Sequence, residues 1–292
     1  MPETEESLPA IALCWGTLIG TPLEPLIEAA GAAGLGAVTL TAGMYEASRA
    51  AGRSDAQLRR RLADAGVRVH AIDPLISALP GTPRPADVAA ENRAYFEFTE
   101  ERCYRAAEAL EAETVNLAHF GGGAVAESEF IDCLGPLAGR ARGHGLRLTL
   151  EFLPESAIPD LERAARIVRA VGAPNLGVML DTWHFARTGG SAGQLAQLPA
   201  GLVSGLQISD RREPPPGTAY TPMFGRLLPG EGDIPLIPWL QALDARSPGL
   251  TVGVEVFSEE LKALDPAEAA RRVAASTRGV LKELAASKGI SG

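Results

Sequence analysis

Short apolar runs rich in β-branched and aliphatic residues alternate along this chain with Ala/Leu/Arg/Glu-rich stretches of helical period, and the pattern repeats eight times. The strand-like runs are 11–17, 37–41, 67–73, 114–120, 146–152, 176–182, 202–209 and 250–257. The helical stretches are 22–33, 55–65, 86–111, 127–143, 159–171, 191–198, 235–246 and 266–286. Several of them close on a glycine that leads straight into the next strand, at Gly34, Gly66 and Gly145, the signature of a left-handed C-cap. Strict alternation builds a parallel sheet covered by helices, because parallel strands need crossovers and strands buried on both faces read as near-continuous apolar runs. Eight consecutive units favour an α/β fold closed into a single (β/α)8 TIM barrel over an open doubly wound sheet. No G-x-G-x-x-G or Walker motif follows the first strand, which removes the simplest argument for a nucleotide-binding open sheet.

Length alone points elsewhere: 292 residues suggest two domains at the usual ~150 each. An α/β barrel uses ~250 residues as one unit, and no low-complexity linker divides the chain, so one domain over 1–292 is expected. Residues 1–8 read as a flexible N-terminal tail. With 46% hydrophobic residues the chain can bury a core without disulfides, and its 32 glycines and 22 prolines imply many turns. A net charge of −9 works against a nucleic-acid backbone or an anionic membrane and leaves a small molecule as the expected partner. Cys14, Cys103 and Cys133 are odd in number and widely spaced, as expected of reduced, buried thiols. No signal peptide or spanning run is visible, so a cytoplasmic location is expected; a homo-oligomer is left open.

In such a barrel the chemistry is built at the carboxyl ends of the strands. There the sequence places His119, Glu151, Asp181 with His184 behind it, Gln207 with Ser209 and Asp210, and Glu255. Any one of these acids could be a helix N-cap or the partner of an arginine. Acids ending three strands of one barrel would repel one another and suffer desolvation, and a divalent cation on Glu151, Asp181 and Glu255 relieves both, with Gln207 as a neutral fourth oxygen. An all-oxygen set suits Mn²⁺ or Mg²⁺ best, with Co²⁺ admissible, rather than a zinc site rich in His or Cys.

The stretches LTLEFLP (149–154 and its flank), NLGVMLDTWHFAR (175–187), LQISD (206–210), RLLPGEGDIPL (226–236) and VGVEVFS (252–258) resemble the xylose-isomerase-like TIM barrels. That sugar-phosphate isomerase/epimerase superfamily includes ketose 3-epimerases, inosose dehydratase and bacterial 3-dehydroshikimate dehydratases. The likeness covers the last five strand segments well and the first hundred residues only by alternation. It implies that Glu151, Asp181 and Glu255 bind a divalent metal. It also implies that Glu151 and Glu255 face opposite sides of the substrate carbon as an acid/base pair. The usual fourth ligand of the family is a histidine in the seventh strand, where this chain has Gln207; that departure is closer to the 3-dehydroshikimate dehydratase branch. Endonuclease IV shares the superfamily, but its histidine-rich metal cluster is poorly matched by a chain with four histidines and an acidic balance.

A metal of this kind stabilises the enediolate of an α-hydroxy ketone after a C–H proton leaves. The expected function is therefore a metal-dependent isomerase or epimerase of a small polyhydroxylated ketone. The alternatives are a lyase that uses the same intermediate, such as a dehydratase or a β-eliminase of a keto-sugar, and a non-catalytic binding barrel. His184 is expected to orient a ligand or assist catalysis, against a capping or packing role. His119, Arg226, Glu155 and Trp15 are candidate substrate contacts. For each a plainer reading stands beside it: a packing histidine, a surface arginine in a turn, a helix start, a core tryptophan. The backbone of Gly230 and Gly232 could join Arg226 in clamping an anion. Trp183 could wall the cavity, His70 reads as a core histidine, and His144, at the opposite end of the barrel, has no role.

Overall fold

Each of the eight apolar runs becomes a strand. A computed structural model describes residues 8–215 and 225–289. The strands are β1 (Ile11–Leu13), β2 (Ala37–Leu40), β3 (Arg68–Leu75), β4 (Thr114–Ala118), β5 (Arg147–Glu151), β6 (Leu176–Asp181), β7 (Val203–Ile208) and β8 (Val252–Val254). They run parallel in sequence order and close when β8 pairs with β1. The N-terminal tail expected at 1–8 lies almost wholly outside the described residues, as do residues 216–224 of the long connection after β7.

Helix formation follows local rules well. In Leu161–Val171 the residues Leu161, Ala164, Ala165, Ile167 and Val168 are buried on one face. Asp160 caps the start by accepting from Arg163 N at 2.8 Å, and Gly172 ends the helix at φ 64°. Shortening Ile167 to alanine would cost roughly 2–4 kcal/mol, since its side chain is fully buried between helix and sheet. The glycine expected after Glu127–Gly143 takes φ 72° at Gly145, and Leu146 N reaches back to Ala141 O at 2.9 Å. The Pro266–Gly289 helix packs on Leu23–Ala32 and against β1.

Three expectations about elements are corrected. The helix expected over 86–111 is broken into Pro85–Asp87, Ala90–Asn92, Arg93–Phe96 and Glu100–Leu110. Burial of Phe96 and Phe98 draws the chain inward, and Thr99 then caps a fresh helix by accepting from Arg102 N. Helices Ala42–Ala50 and Thr182–Arg187 were not anticipated; Thr41 and Asp181 cap them through Met44 N and Trp183 N. The run 11–17 is a strand only to Leu13, because residues Trp15–Leu18 coil into a 3-10 turn.

Inside the barrel the strands carry small and polar residues. Thr149 on β5 donates to Asn116 on β4 at 2.7 Å, and the alternation of a strand sends Glu151 to the same side. A side chain on Gly253 would lie 2.9 Å from Leu206 O, 3.2 Å from Cys14 Sγ and 3.3 Å from Gln207 Cγ, so glycine in β8 makes room for Gln207. The cysteines are free thiols, Cys14 and Cys103 buried and Cys133 half-buried.

Candidate active site and metal centre

The carboxyl ends of the strands bring the expected acids together. Register fixes their level: Glu151 lies beside Ala118 and Met179, Asp181 beside Gln207, and Gln207 beside Gly253, with Glu255 one residue beyond β8. All four are buried. A fourth carboxylate, Asp73, joins them from β3 and is also buried. It was not singled out by sequence. The register of β3 against β4 shifts between Ile72 and Leu75, and such an irregularity re-aims a side chain.

Hydrogen bonds hold this floor in place. The Asn116 amide donates to Asp73 Oδ1 at 2.8 Å and to Glu151 Oε2 at 2.7 Å. The Gln207 amide donates to Asp73 Oδ2 at 3.2 Å, leaving Gln207 Oε1 buried with no partner. Asp181 accepts from Trp183 N at 2.6 Å through one oxygen and from Arg226 Nη1 at 2.7 Å through the other. Arg226, expected to contact substrate and with a surface turn as its plainer reading, is buried. Its Nη1 also lies 3.5 Å from Glu255 Oε2, and the guanidinium sits 5.1 Å from the Phe257 ring centre and 5.5 Å from that of Trp183.

One fixed cation among four buried carboxylates leaves excess negative charge. Burial, then the neighbouring acids, push the Glu151 carboxyl well above its usual range. Burial pushes Glu255 up to about 8 although Arg226 opposes it, and pushes Asp73 up to about 6 although Asn116 and Gln207 donate to it. Burial depresses His184 to about 4, so its imidazole is neutral and its Nε2 can serve as a donor to a cation.

The remaining expected residues are placed as follows. His184 Nε2 lies 3.5 Å from Glu151 Oε1 and 3.7 Å from Asp181 Oδ2, so the tightest set of candidate metal donors among the described residues is Glu151, Asp181 and His184. Glu255 lies outside that tightest set, at the same mouth and facing Arg226. His119 lines the cavity, but its Nδ1 accepts from Ala157 N at 3.2 Å and its Nε2 lies 3.1 Å from Pro80 O. With both nitrogens engaged by backbone, it pins two loops instead of offering the expected substrate donor. Glu155 is exposed at the rim and pairs with Arg187 at 3.2 Å. Trp15 lines the wall, its ring centre 5.2 Å from that of Tyr95 and 6.2 Å from that of Phe257. Trp183 backs Arg226 and is absent from the cavity lining.

The expected backbone clamp is corrected at Gly230, whose amide is already engaged. Gly230 N donates to Asp210 Oδ2 at 3.0 Å, while Arg211 N and Ile234 N donate to Oδ1 at 2.8 and 3.0 Å. A Cβ on Gly232 would stand 2.3 Å from that same oxygen. Asp210 thus organises the RLLPGEGD loop and takes up the Gly230 amide; the backbone bridge to Leu227 then sets Arg226 beside the acids. His70 is a largely buried histidine whose pKa falls to about 4, and His144 pairs with Glu108 at the surface.

The residues fit a divalent cation. Buried carboxylates in excess, an unpartnered amide oxygen on Gln207 and a neutral imidazole form a mixed oxygen and nitrogen donor set around a charge deficit. The nitrogen widens the choice of ion beyond the all-oxygen set.

A closed parallel barrel with buried acids and a 270 Å³ cavity at its carboxyl mouth defines a TIM barrel. The chain belongs to the xylose isomerase-like TIM barrel family, whose model matches residues 27–282. It is 30% identical to an inosose isomerase of Bacillus subtilis (strain 168) over 155 residues, 52% of this chain and 55% of that protein. It thus spans about half the length of the curated relatives it matches. Among solved structures it is similar to an IOLI protein with a binding zinc atom, with a TM-score of 0.79 at 22% identity over 94% of this chain and 99% of that one. A D-psicose 3-epimerase with D-fructose present gives a TM-score of 0.68 at 19% identity over 93% and 99%. These likenesses establish the fold. No helix among the described residues is long and apolar enough to cross a membrane.

Proposed function

We propose that this protein is a divalent-metal-dependent isomerase or epimerase of a small sugar-like α-hydroxy ketone. The observation that carries the reading is the convergence of Glu151, Asp181, Glu255 and Asp73 in one buried mouth, with Gln207 Oε1 and His184 Nε2 as neutral donors. Similarity to inosose isomerases and to a ketose epimerase fold supports the choice of substrate class. Glu151, Asp181, Gln207 and Glu255, with His184, would hold the ion. When bound, the ion would polarise the ketone and acidify the adjacent C–H.

The chain's own residues do the rest. Glu151 and Glu255 sit on strands separated by β6 and β7, so one can take a proton from carbon while the other returns one from a different side. With the ion bound, each carboxylate would be a weaker base than in the empty site, so its competence would rest on the C–H made acidic beside the polarised ketone. The Asn116 amide fixes Glu151, and Arg226 fixes Glu255 and Asp181. The aromatic rim around Trp15 and Phe257 excludes water from the carbanionic intermediate. His184 would offer Nε2 to the ion from beside Glu151 and Asp181.

The test is a panel of ketoses, inososes and 3-dehydroshikimate in D₂O followed by NMR, with metal content measured on the purified protein. The expected result is about one ion per chain and deuterium entering at the carbon next to the ketone. Glu151→Gln and Glu255→Gln should each lower exchange by about 10²–10⁴ with the fold retained. Full activity without metal overturns the proposal. Loss of water or of a substituent in place of exchange moves the reaction to elimination.

A further inference from the structure

The cavity over the acids is divided sharply into a polar floor and an apolar upper wall. Of the aromatic side chains in the protein (Phe 8, Tyr 4, Trp 3), five line this one cavity: Trp15, Tyr95, Phe96, Phe120 and Phe257. Four separate segments deliver them, after β1, in the broken helix 85–98, after β4 and after β8. Pro74, Ile76 and Leu153 fill the gaps between rings. The rings brace one another: Tyr95 stacks on Trp15 at 5.2 Å, and Phe96 lies 6.1 Å from Phe120.

Few polar atoms rise above the floor. Glu155 is committed to Arg187 at 3.2 Å, and both nitrogens of His119 are engaged by backbone; the Asn92 side chain and the Ser156 hydroxyl, which accepts from Ile158 N at 3.0 Å and keeps its proton to give, are the polar groups left there. A small polyol filling this space would satisfy its lower hydroxyls on the acids but find only Asn92 and Ser156 for the upper ones, against a wall of rings, so much of the water stripped from them is not replaced. One aromatic ring suits a sugar face, but a wall of five rings from four segments suits an apolar body.

Building on the proposed reaction, we infer that the substrate is a polyhydroxy ketone carrying a planar apolar substituent, with the ketone on the acids and the substituent against Tyr95 and Phe120. An aryl glycoside oxidised to its keto form has this chemistry. The substituent contributes binding, and the floor alone contributes the proton transfer.

The experiment compares phenyl and methyl 3-keto-β-glucopyranoside by calorimetric titration into the full chain supplemented with Mn²⁺. The phenyl probe should bind at least tenfold more tightly, the range expected for burying one aromatic ring. In Phe120→Ala and in Tyr95→Ala the ratio of the two affinities should fall toward one. Equal affinity of the two probes for the wild-type protein overturns the inference, as does failure of both to bind. Deuterium exchange is followed in the same samples. A phenyl preference without exchange overturns the isomerase reading and leaves this inference standing; exchange without a preference does the reverse.

Discussion

Replacing Asp210 tests how the site is held together without requiring any substrate. Its buried carboxylate accepts three backbone N–H groups, from Arg211 at 2.8 Å, Ile234 at 3.0 Å and Gly230 at 3.0 Å. Hydrogen bonds to a charged acceptor contribute about 1.5–3 kcal/mol each, so Asp210→Ala forfeits a formal total of about 4–9 kcal/mol. Relaxation of the loop and entry of water reduce this, and a net destabilisation of ~3–5 kcal/mol is expected. Asp210→Asn separates the two oxygens. Its remaining oxygen keeps Arg211 and Ile234, but its NH₂ now faces Gly230 N, so about 2 kcal/mol should be lost. Urea unfolding reads both values, and activity under the proposed assay should fall in the same order because Leu227 and Arg226 move with the loop. A loss below ~1 kcal/mol for both variants, or equal losses, would refute the account of Asp210 as the organiser.

The other predictions follow from the same contacts. Arg226→Met removes the fixed cation between Asp181 and Glu255, so the chelated protein should lose roughly 3–5 kcal/mol in denaturant unfolding, and Mn²⁺ should restore more stability than it gives wild type. Glu255 has a pKa raised from 4.5 to about 8, so its stabilising contribution is complete below pH 4.5 and disappears as pH rises through 8. Metal-free protein should therefore melt lower at pH 8.5 than at pH 6, and the gain on adding metal should be larger at pH 8.5; the opposite trend counts against the buried-acid floor. His70 has its pKa lowered to about 4, so the unfolded chain takes the proton first and stability falls between pH 6.5 and 4, by at most roughly 3 kcal/mol. His70→Gln should flatten that part of the melting profile. Gly16→Ala puts a methyl group 2.5 Å from the Phe257 ring and 2.9 Å from Glu255 Oε1, so it should cost about 1–3 kcal/mol in unfolding and lower metal affinity by calorimetry.

What sequence could and could not reveal divides along physical lines. The strands were legible because buried parallel strands are apolar on both faces, and the acids that interrupt them at Glu151, Asp181 and Glu255 stand out against that background. Asp73 carries the same signal, in AIDPL, but the proline that follows it reads as an ordinary turn and masks it. The helix break before Thr99 was not legible, since burial of Phe96 and Phe98 is a tertiary event that overrides helical period. Nor was the double engagement of His119, whose partners Pro80 and Ala157 lie 39 and 38 residues away. The aromatic wall is a further case: Trp15, Tyr95, Phe120 and Phe257 are scattered through 243 positions and meet only when the barrel closes.

Asp73 and Gln207 explain each other. An amide side chain has a donor end and an acceptor end of almost equal size, and with nothing to distinguish them it turns either way. A donor end turned toward a cation would repel it. The carboxylate of Asp73 accepts from Gln207 Nε2 and thereby turns Oε1 away from itself, where it is buried with no partner. Asn116 plays the same part for Asp73, whose other oxygen it holds, and its own oxygen is fixed by the Thr149 hydroxyl. The chain Thr149, Asn116, Asp73, Gln207 therefore transmits one orientation across the barrel interior from β5 to β7. A glutamine at this position needs a neighbouring acceptor, and the acid on β3 supplies it at the cost of one more buried charge. Asp73→Asn would remove that charge, yet its amide could still present either end to Gln207, so the loss should appear as weaker selection of the Oε1 orientation more than as loss of the fold.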